Sequence, residues 1–315
     1  MTEPEKFLLA DFLNEDFTPI TDFPHVTQCS IMPVVAMRGN KFIPMGTCFS
    51  ISNQGLVLTA RHVIDEILAM NDGEKSPADH WWVGALYAAK PEINQETTTG
   101  LTGGILIANK VHFSSSLDIA AIHLNLPVNE DTNKPLRMPA HRLSPAIPDI
   151  GSKCLAIGYH SMKCTIPNDG VHTHQVIQSY SASRGQIEEI HFPHRDLSNL
   201  TFPCFQVSMR LDAGMSGGPV INENGNVIGV VCSSLGSPEM GGFISYASLI
   251  GPSLLLQITG QGSDGIIGQK FLYDFIVGGS VLLDNTADKI KVERAANALS
   301  IDFGRPPPMK NHLLT

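Results

Sequence analysis

From about Val26 the chain is a series of short apolar runs separated by polar or glycine-containing breaks. CSIMPVVAM is followed by Arg38-Gly39-Asn40, and MGTCFSIS by Asn53-Gln54-Gly55; LVLTARHV comes next. Three strands joined by tight turns are predicted, the third ending with His62. HWWVGALYAA, GGILIANKVHF and DIAAIHLNL continue the series to about residue 126 and complete a six-strand unit. The proline-rich stretch from Pro135 to Pro148 interrupts the pattern and reads as a linker. A second run of strands follows: KCLAIGYH, QSYSASRGQIEEI, FPCFQVSM, GGPVINENGNVIGVVCSS and GGFISYA. The expected organisation is a leader over 1–23, a first strand unit over 24–134, a second over 135–250, and an extension over 251–315.

The two ends differ from the strand units. Glu3, Glu5, Asp11, Glu15, Asp16 and Asp22 surround a short apolar patch in the leader. In the extension, Asn285 or Thr286 stands where a capping residue would open the helix-favouring run ADKIKVERAANAL, so a helix is expected between Asp284 and Ser300. The last residues, GRPPPMKNHLLT, read as an extended tail.

Composition narrows the picture. Of 315 residues, 43% are hydrophobic and 16% charged, which supplies a core and excludes compositional disorder. The 28 glycines and 21 prolines that punctuate the apolar runs favour an all-β architecture. A formal net charge of −9 leaves no basic field to collect phosphates, so nucleic acid is not an expected partner. No run approaches the roughly 18 apolar residues of a membrane span. The N-terminus lacks the basic and apolar regions of a signal peptide, so a chain starting naturally at Met1 is expected to be soluble and cytoplasmic. The six cysteines (Cys29, Cys48, Cys154, Cys164, Cys204 and Cys232) include no C-x-x-C pair, and several lie in apolar runs; they read as buried free thiols. His172 with His174, and His191 with His194, have no carboxylate or cysteine at ligand spacing, so no metal or other cofactor is expected. Of Trp81 and Trp82, one ring is expected to fill the first unit and the other to face outward.

Three segments carry chemistry. Hydrolysis of an amide by a serine needs a base for the hydroxyl proton, an anion to orient and stabilise the imidazole, and donors for the developing oxyanion. LTARHV holds His62, SSSLDIAAIHL opens a strand with Asp118, and LDAGMSGGPVI holds Ser216 among Gly214, Gly217 and Gly218. The backbone amides of Gly214 and Ser216 are the candidate oxyanion donors. Gly214 to Gly218 also satisfies the G-x-S-x-G elbow of α/β-hydrolases. That fold needs its acid and base after the serine, and a helix directly behind it. Here the later sequence contains only His312 as a histidine, and a strand-like GGPVI follows Ser216.

At these blocks the chain resembles the trypsin-like, chymotrypsin-fold serine peptidases, above all the disulfide-poor bacterial branch that includes HtrA-type proteases. The resemblance runs from about Val26 to Ile250 and rests on TARHV, SLDIAAIHL and GMSGGPVIN followed by GNVIGVV, in the family's order. It implies two six-stranded antiparallel β-barrels with the active site between them. His62 would be general base, Asp118 the orienting acid and Ser216 the nucleophile, acting on a protein or peptide substrate. It also places the base of the S1 pocket near Arg210 and Leu211 and its walls near Ser233, Ser234 and Gly242. Arg210 inside the pocket would favour an acidic P1 side chain and Asp212 inside a basic one; with both outside, the pocket is apolar or small. Cys232 or Ser233 falls where the family places a hydroxyl on the acid. Met215 stands where secreted relatives keep an aspartate for a newly freed N-terminal amine, so that activation route is chemically closed. The stretch after Ile250 is too short for a PDZ-like domain, and the terminal extensions are candidate contacts for a regulatory partner. The competing expectation is an inactive pseudo-peptidase whose cleft binds peptides or a partner.

Overall fold

The computed structural model describes residues 17–19, 30–73, 76, 79–92, 100–129, 133–165, 175–235, 244–261, 267–295 and 298–304. A short strand, β1 (Phe17–Pro19), precedes the first barrel. That barrel is built from β2 (Ile31–Arg38), β3 (Lys41–Ser50), β4 (Leu56–Thr59), β5 (Trp82–Glu92), β6 (Gly100–Phe113) and β7 (Ala120–Leu124). It closes in the order β2-β3-β4-β7-β6-β5, every pair antiparallel. A two-residue hairpin, β8 (Val128–Asn129) with β9 (Lys134–Pro135), follows it. The second barrel comprises β10 (Lys153–Thr165), β11 (Gln175–His191), β12 (Cys204–Val207), β13 (Pro219–Asn222), β14 (Val227–Leu235) and β15 (Ile244–Leu249). Its order is β11-β10-β13-β14-β15-β12, and the β11–β12 pairing closes it. β1 lies on the free edge of β11, with Phe17, Thr18 and Pro19 opposite Ser183, Ala182 and Ser181. The two six-stranded antiparallel barrels implied by the sequence are therefore present.

Strand periodicity explains how the barrels share a wall. Along β10 the side chains alternate: Cys154 and Ala156 join the interior of the second barrel, whereas Leu155, Ile157 and Tyr159 join the core that continues into the first. β13 splits in the same way, with Val220 inside the second barrel and Ile221 on the shared side. A two-sided strand of this kind reads as a continuous apolar run, as CLAIGY does.

One expectation needs correction at the start of the first barrel. The strand that was to end with His62 stops at Thr59, and His62 lies in the first turn of a helix, α1 (Arg61–Ala69). Val63, Ile64 and Ile67 bury one face of that helix, a spacing of one turn that a strand could not place on one side. Likewise Asp118 precedes β7 by two residues rather than opening it. Cys48, Cys154, Cys204 and Cys232 are buried free thiols. Trp81 is half-buried beneath the Arg38 guanidinium, 4.7 Å from the ring centroid, while Trp82 is exposed. Among the described residues no helix is long and apolar enough to cross a membrane.

The extension contains a helix, but at a different place from the one its composition favours. After a 3-10 turn at Gly251–Leu255 come β16 (Gln257–Gln261), β17 (Ile267–Phe271) and α2 (Leu272–Val277). Residues 284–300, expected to be helical, form a 3-10 turn at Asn285–Lys289 followed by the hairpin β18 (Lys291–Ala295) and β19 (Ala298–Asp302). The turn is capped by Asp284, whose carboxylate accepts from the Thr286 amide, and not by Asn285 or Thr286. The hairpin prevails because Val292 and Leu299 pack against the main core and Ile301 is buried in it; tertiary burial outweighs helix propensities of a few tenths of a kcal/mol per residue.

Packing joins the extension to both barrels. Leu254, Leu256, Ile258, Leu272, Phe275, Val281 and Phe303 belong to the same core as the first barrel and the shared face of the second. The linker runs between them: Leu143 donates to Leu282, accepts from the Asp284 amide, and lies beside Val227 of β14. Removing the Leu256 side chain, which is 1% exposed, should therefore destabilise the barrels together with the extension. Leu256→Ala is expected to cost about 2–5 kcal/mol in equilibrium urea unfolding followed by tryptophan fluorescence, whose two reporters both lie in the first barrel. A loss below about 0.5 kcal/mol would mean that the extension folds as a separate unit.

Candidate active site

The end of β4, the start of α1 and the turn before β7 meet at one point. The N-cap residue of α1, Ala60, is extended, so the chain leaves β4 and enters the helix without a loop, which carries His62 to the barrel junction. Asp118 is buried and engages His62 three times: Oδ1 accepts from the His62 backbone amide at 3.0 Å, and Oδ1 and Oδ2 lie 3.1 and 2.9 Å from Nδ1. A carboxylate so placed holds the proton on Nδ1 and leaves Nε2 as the acceptor. Burial pulls the imidazole pKa down, but the hydrogen bond and charge of Asp118, with the charges of Glu66 and Asp65, prevail and shift it upward from 6.5.

Ser216 arrives from the other barrel, in the connection that enters β13. The Met215 amide donates to the Asp212 carbonyl at 3.1 Å, and Gly214, the third residue of that turn, has a φ of 92°. Ala213 is not among the residues with positive φ, so the turn is type II. Met215 is fully buried in the core of the second barrel and anchors the turn there. The amides of Gly214 and Ser216 donate to no acceptor among the described residues, and both residues are half-exposed.

Close backbone contact brings the two halves together. A methyl on Gly217 would collide with the Thr47 carbonyl and the Thr59 hydroxyl and lie 2.8 Å from the nitrogen of Ala60, two residues before His62. The Thr47 amide donates to the Ser216 carbonyl at 2.8 Å. The serine hydroxyl itself is turned toward the Cys232 carbonyl at 3.5 Å, and no hydrogen bond joins it to His62. Such contacts are often long before substrate binds.

The remaining sequence-predicted residues separate into three groups. Arg210 and Asp212, each a possible determinant of P1, bind one another in a bidentate pair, Nε to Oδ1 at 2.6 Å and Nη2 to Oδ2 at 2.8 Å, with Arg210 half-exposed. Leu211 is buried in the second barrel. Ser233 and Ser234 lie in β14, opposite Tyr246 and Ser245 of β15, and Gly242 lies outside the described residues. The Cys232 thiol donates to the Tyr246 carbonyl at 3.1 Å. The His191 ring lies 6.1 Å from the Tyr246 ring with the planes tilted by 48°, and the Glu189 carboxylate is 3.5 Å away; His172 and His174 lie outside the described residues. Among the described residues no three His, Cys, Asp or Glu side chains gather as a metal site. The residue that sequence reasoning missed is Thr47. It is fully buried, its hydroxyl donates to the Gly214 carbonyl at 2.8 Å, and that same oxygen accepts from the Tyr159 amide at 3.0 Å.

No curated protein matches the sequence. Among solved structures the chain is similar to Deg5, with 16% identity over 71% of this chain and 85% of that one, at a TM-score of 0.44. It is similar also to the MamO protease domain from Magnetospirillum magneticum, with 14% identity over 71% and 94% of the two chains and a TM-score of 0.44. A third is the HtrA-type protease AlgW with a decapeptide: 18% identity over 72% of this chain and 63% of that one, TM-score 0.41. The sequence family known as the trypsin-like peptidase domain matches residues 46–230. That span begins beside Thr47, ends in the strand behind the serine turn, and takes in more than half of the chain with His62, Asp118 and Ser216 inside it, so this protein belongs to the trypsin-like peptidase family.

Proposed function

We propose that the protein is a serine endopeptidase that cleaves protein or peptide substrates through an acyl-enzyme on Ser216. The observation that carries this reading is the Asp118–His62 pair, held by three short contacts, together with a serine loop whose Gly214 and Ser216 amides have no acceptor among the described residues. In the reaction His62 Nε2 takes the Ser216 proton as Oγ attacks the scissile carbonyl. Asp118 stabilises the imidazolium, and the Gly214 and Ser216 amides receive the oxyanion. The imidazolium then protonates the departing amine, and water attacks the acyl-enzyme by the same route in reverse. The type II turn favours this reading, because a type I turn would reverse the peptide before Gly214 and replace its N–H with a carbonyl. For attack, the Ser216 hydroxyl has to leave the Cys232 carbonyl for His62 Nε2.

The orientation of that hydroxyl favours a second reading, an inactive cleft that binds peptides without turnover. Labelling by a fluorophosphonate separates the two. Wild-type protein is expected to label at Ser216, and Ser216→Ala to lose labelling and hydrolysis by several orders of magnitude, on the order of 10⁶ for loss of such a nucleophile. Unlabelled, fully folded wild-type protein would establish the binding module instead.

His62 must be neutral to act as base, so activity should rise with pH through its pKa. Since that pKa is displaced upward, kcat/KM should reach half its plateau above about pH 6.5, not below it. Glu66→Gln removes a charge that favours the imidazolium and should move the midpoint down. An upward move would contradict the assignment of His62.

Specificity follows from the Arg210–Asp212 pair. Each charge is spent on the other, so neither is offered to a P1 side chain, and an apolar or small P1 is expected. Fluorogenic peptides that differ only at P1 should be cleaved faster with Leu, Val or Ala than with Lys, Arg, Asp or Glu. A preference for either charge sign would show that the pair opens on binding.

A further inference from the structure

We infer that Thr47, a residue of the first barrel, is a positioning residue for the oxyanion site of the second, an inference that rests on the peptidase reading of that site. Among the described residues the Gly214 and Ser216 amides have no acceptor, and the carbonyls of both residues are fastened to Thr47: Gly214 O by its hydroxyl and Ser216 O by its backbone N–H, each at 2.8 Å. Fixing these carbonyls fixes the planes of the peptides that follow each residue. Met215, between them, is held from the other side by the core of the second barrel. The serine loop is thus clamped at three consecutive residues, two of them by one side chain and its own amide.

Every polar atom of Thr47 is committed to the clamp. Its hydroxyl accepts from the Tyr159 amide of β10 while donating to Gly214, and its carbonyl accepts from the Thr59 hydroxyl at 2.7 Å. Thr59 lies at the end of β4, three residues before His62. The donor that holds the oxyanion turn is therefore oriented by a backbone amide of the second barrel and by a strand that delivers His62. A hydroxyl that accepts and donates at once is polarised in both directions, which strengthens each bond. Tyr159 is tied back to the first barrel as well, through its own hydroxyl to the Ile31 carbonyl at 3.2 Å. The geometry makes Thr47 the shared support of nucleophile loop and base, without contact to either reacting atom.

The test compares Thr47→Val, which keeps the shape and removes the hydroxyl, with Thr47→Ser, which keeps the hydroxyl. In Thr47→Val, kcat should fall about 10- to 100-fold, less than the 10²–10³-fold cost of deleting an oxyanion donor outright. KM should stay within about twofold and the pH midpoint should not move, because His62 and Asp118 are untouched. Thr47→Ser should restore kcat to within about threefold of wild type. If the valine variant does not fold, Thr47→Ala, which leaves room for a water, takes its place in the comparison.

A readout independent of activity accompanies these. The Met215, Gly217 and Gly218 amides donate to Asp212, Val231 and Met215 carbonyls, and their hydrogen exchange should quicken at least tenfold in Thr47→Val but not in Thr47→Ser. Exchange in the β18–β19 hairpin should not change. Wild-type protein that proves inactive, with loop exchange still dependent on the hydroxyl, would overturn the peptidase reading and leave the clamp standing. Equal kcat and equal loop exchange in valine and serine variants, or a serine variant as impaired as valine, would overturn the role of Thr47.

Discussion

The serine loop lies so close to the strands behind it that no side chain fits between them. A Cβ at Gly217 would strike Thr47 and Thr59 of the first barrel, and one at Gly218 would strike the Ile157 carbonyl of the second. This contact sets the distance between the barrels, since any residue larger than glycine would push the loop off one wall or the other. At this separation carbonyls and amides of the two barrels reach each other directly, and the Thr47 hydroxyl joins them by bonding both Gly214 and Tyr159.

The electrostatic arrangement depends on that approach. Asp118 is buried, where an isolated carboxylate would be costly, and the His62 amide and ring are its compensation. The same partnership raises the affinity of the imidazole for a proton, which is the property the proposed acyl transfer would need. Arg210 and Asp212 neutralise each other at the rim of the loop and so keep a second strong field out of the cleft. Met215 has a different part: an apolar anchor, sunk into the second barrel, holds the turn that an ion pair organises in amine-activated relatives.

Nor is the C-terminal extension an appendage. Its apolar residues continue the shared core, and the linker at Leu143 bridges the extension on one side and β14 on the other. The Thr259 amide reaches His112 of β6, and Asn226 donates to Asp284, so both barrels are tied to the same element. An apolar cleft of about 540 Å³ between α2 and the 281–292 segment belongs to the extension, lined by Tyr273, Ile276, Leu283, Ile290 and Val292 among others, and includes none of His62, Asp118 or Ser216.

The alternation of apolar and polar residues determined most of the strands, and the blocks around His62, Asp118 and Ser216 pointed to the candidate site; each of these signals is local, carried by neighbours within a few residues. The lack of a carboxylate at position 215 was equally plain, because it depends on one residue. What lay beyond the sequence was decided by contacts between distant segments. β18 and β19 pair despite helix-favouring composition, because burial of Ile301 and packing of Val292 depend on a core supplied by both barrels. Arg210 and Asp212 could have faced the pocket singly; only the turn through Leu211, which buries that residue, brings them together. Thr47 was invisible as a candidate because a lone threonine in an apolar run reads as an ordinary strand position. Its partners Tyr159 and Gly214 lie 112 and 167 residues away, and only the closed barrels bring its hydroxyl within hydrogen-bond reach of both.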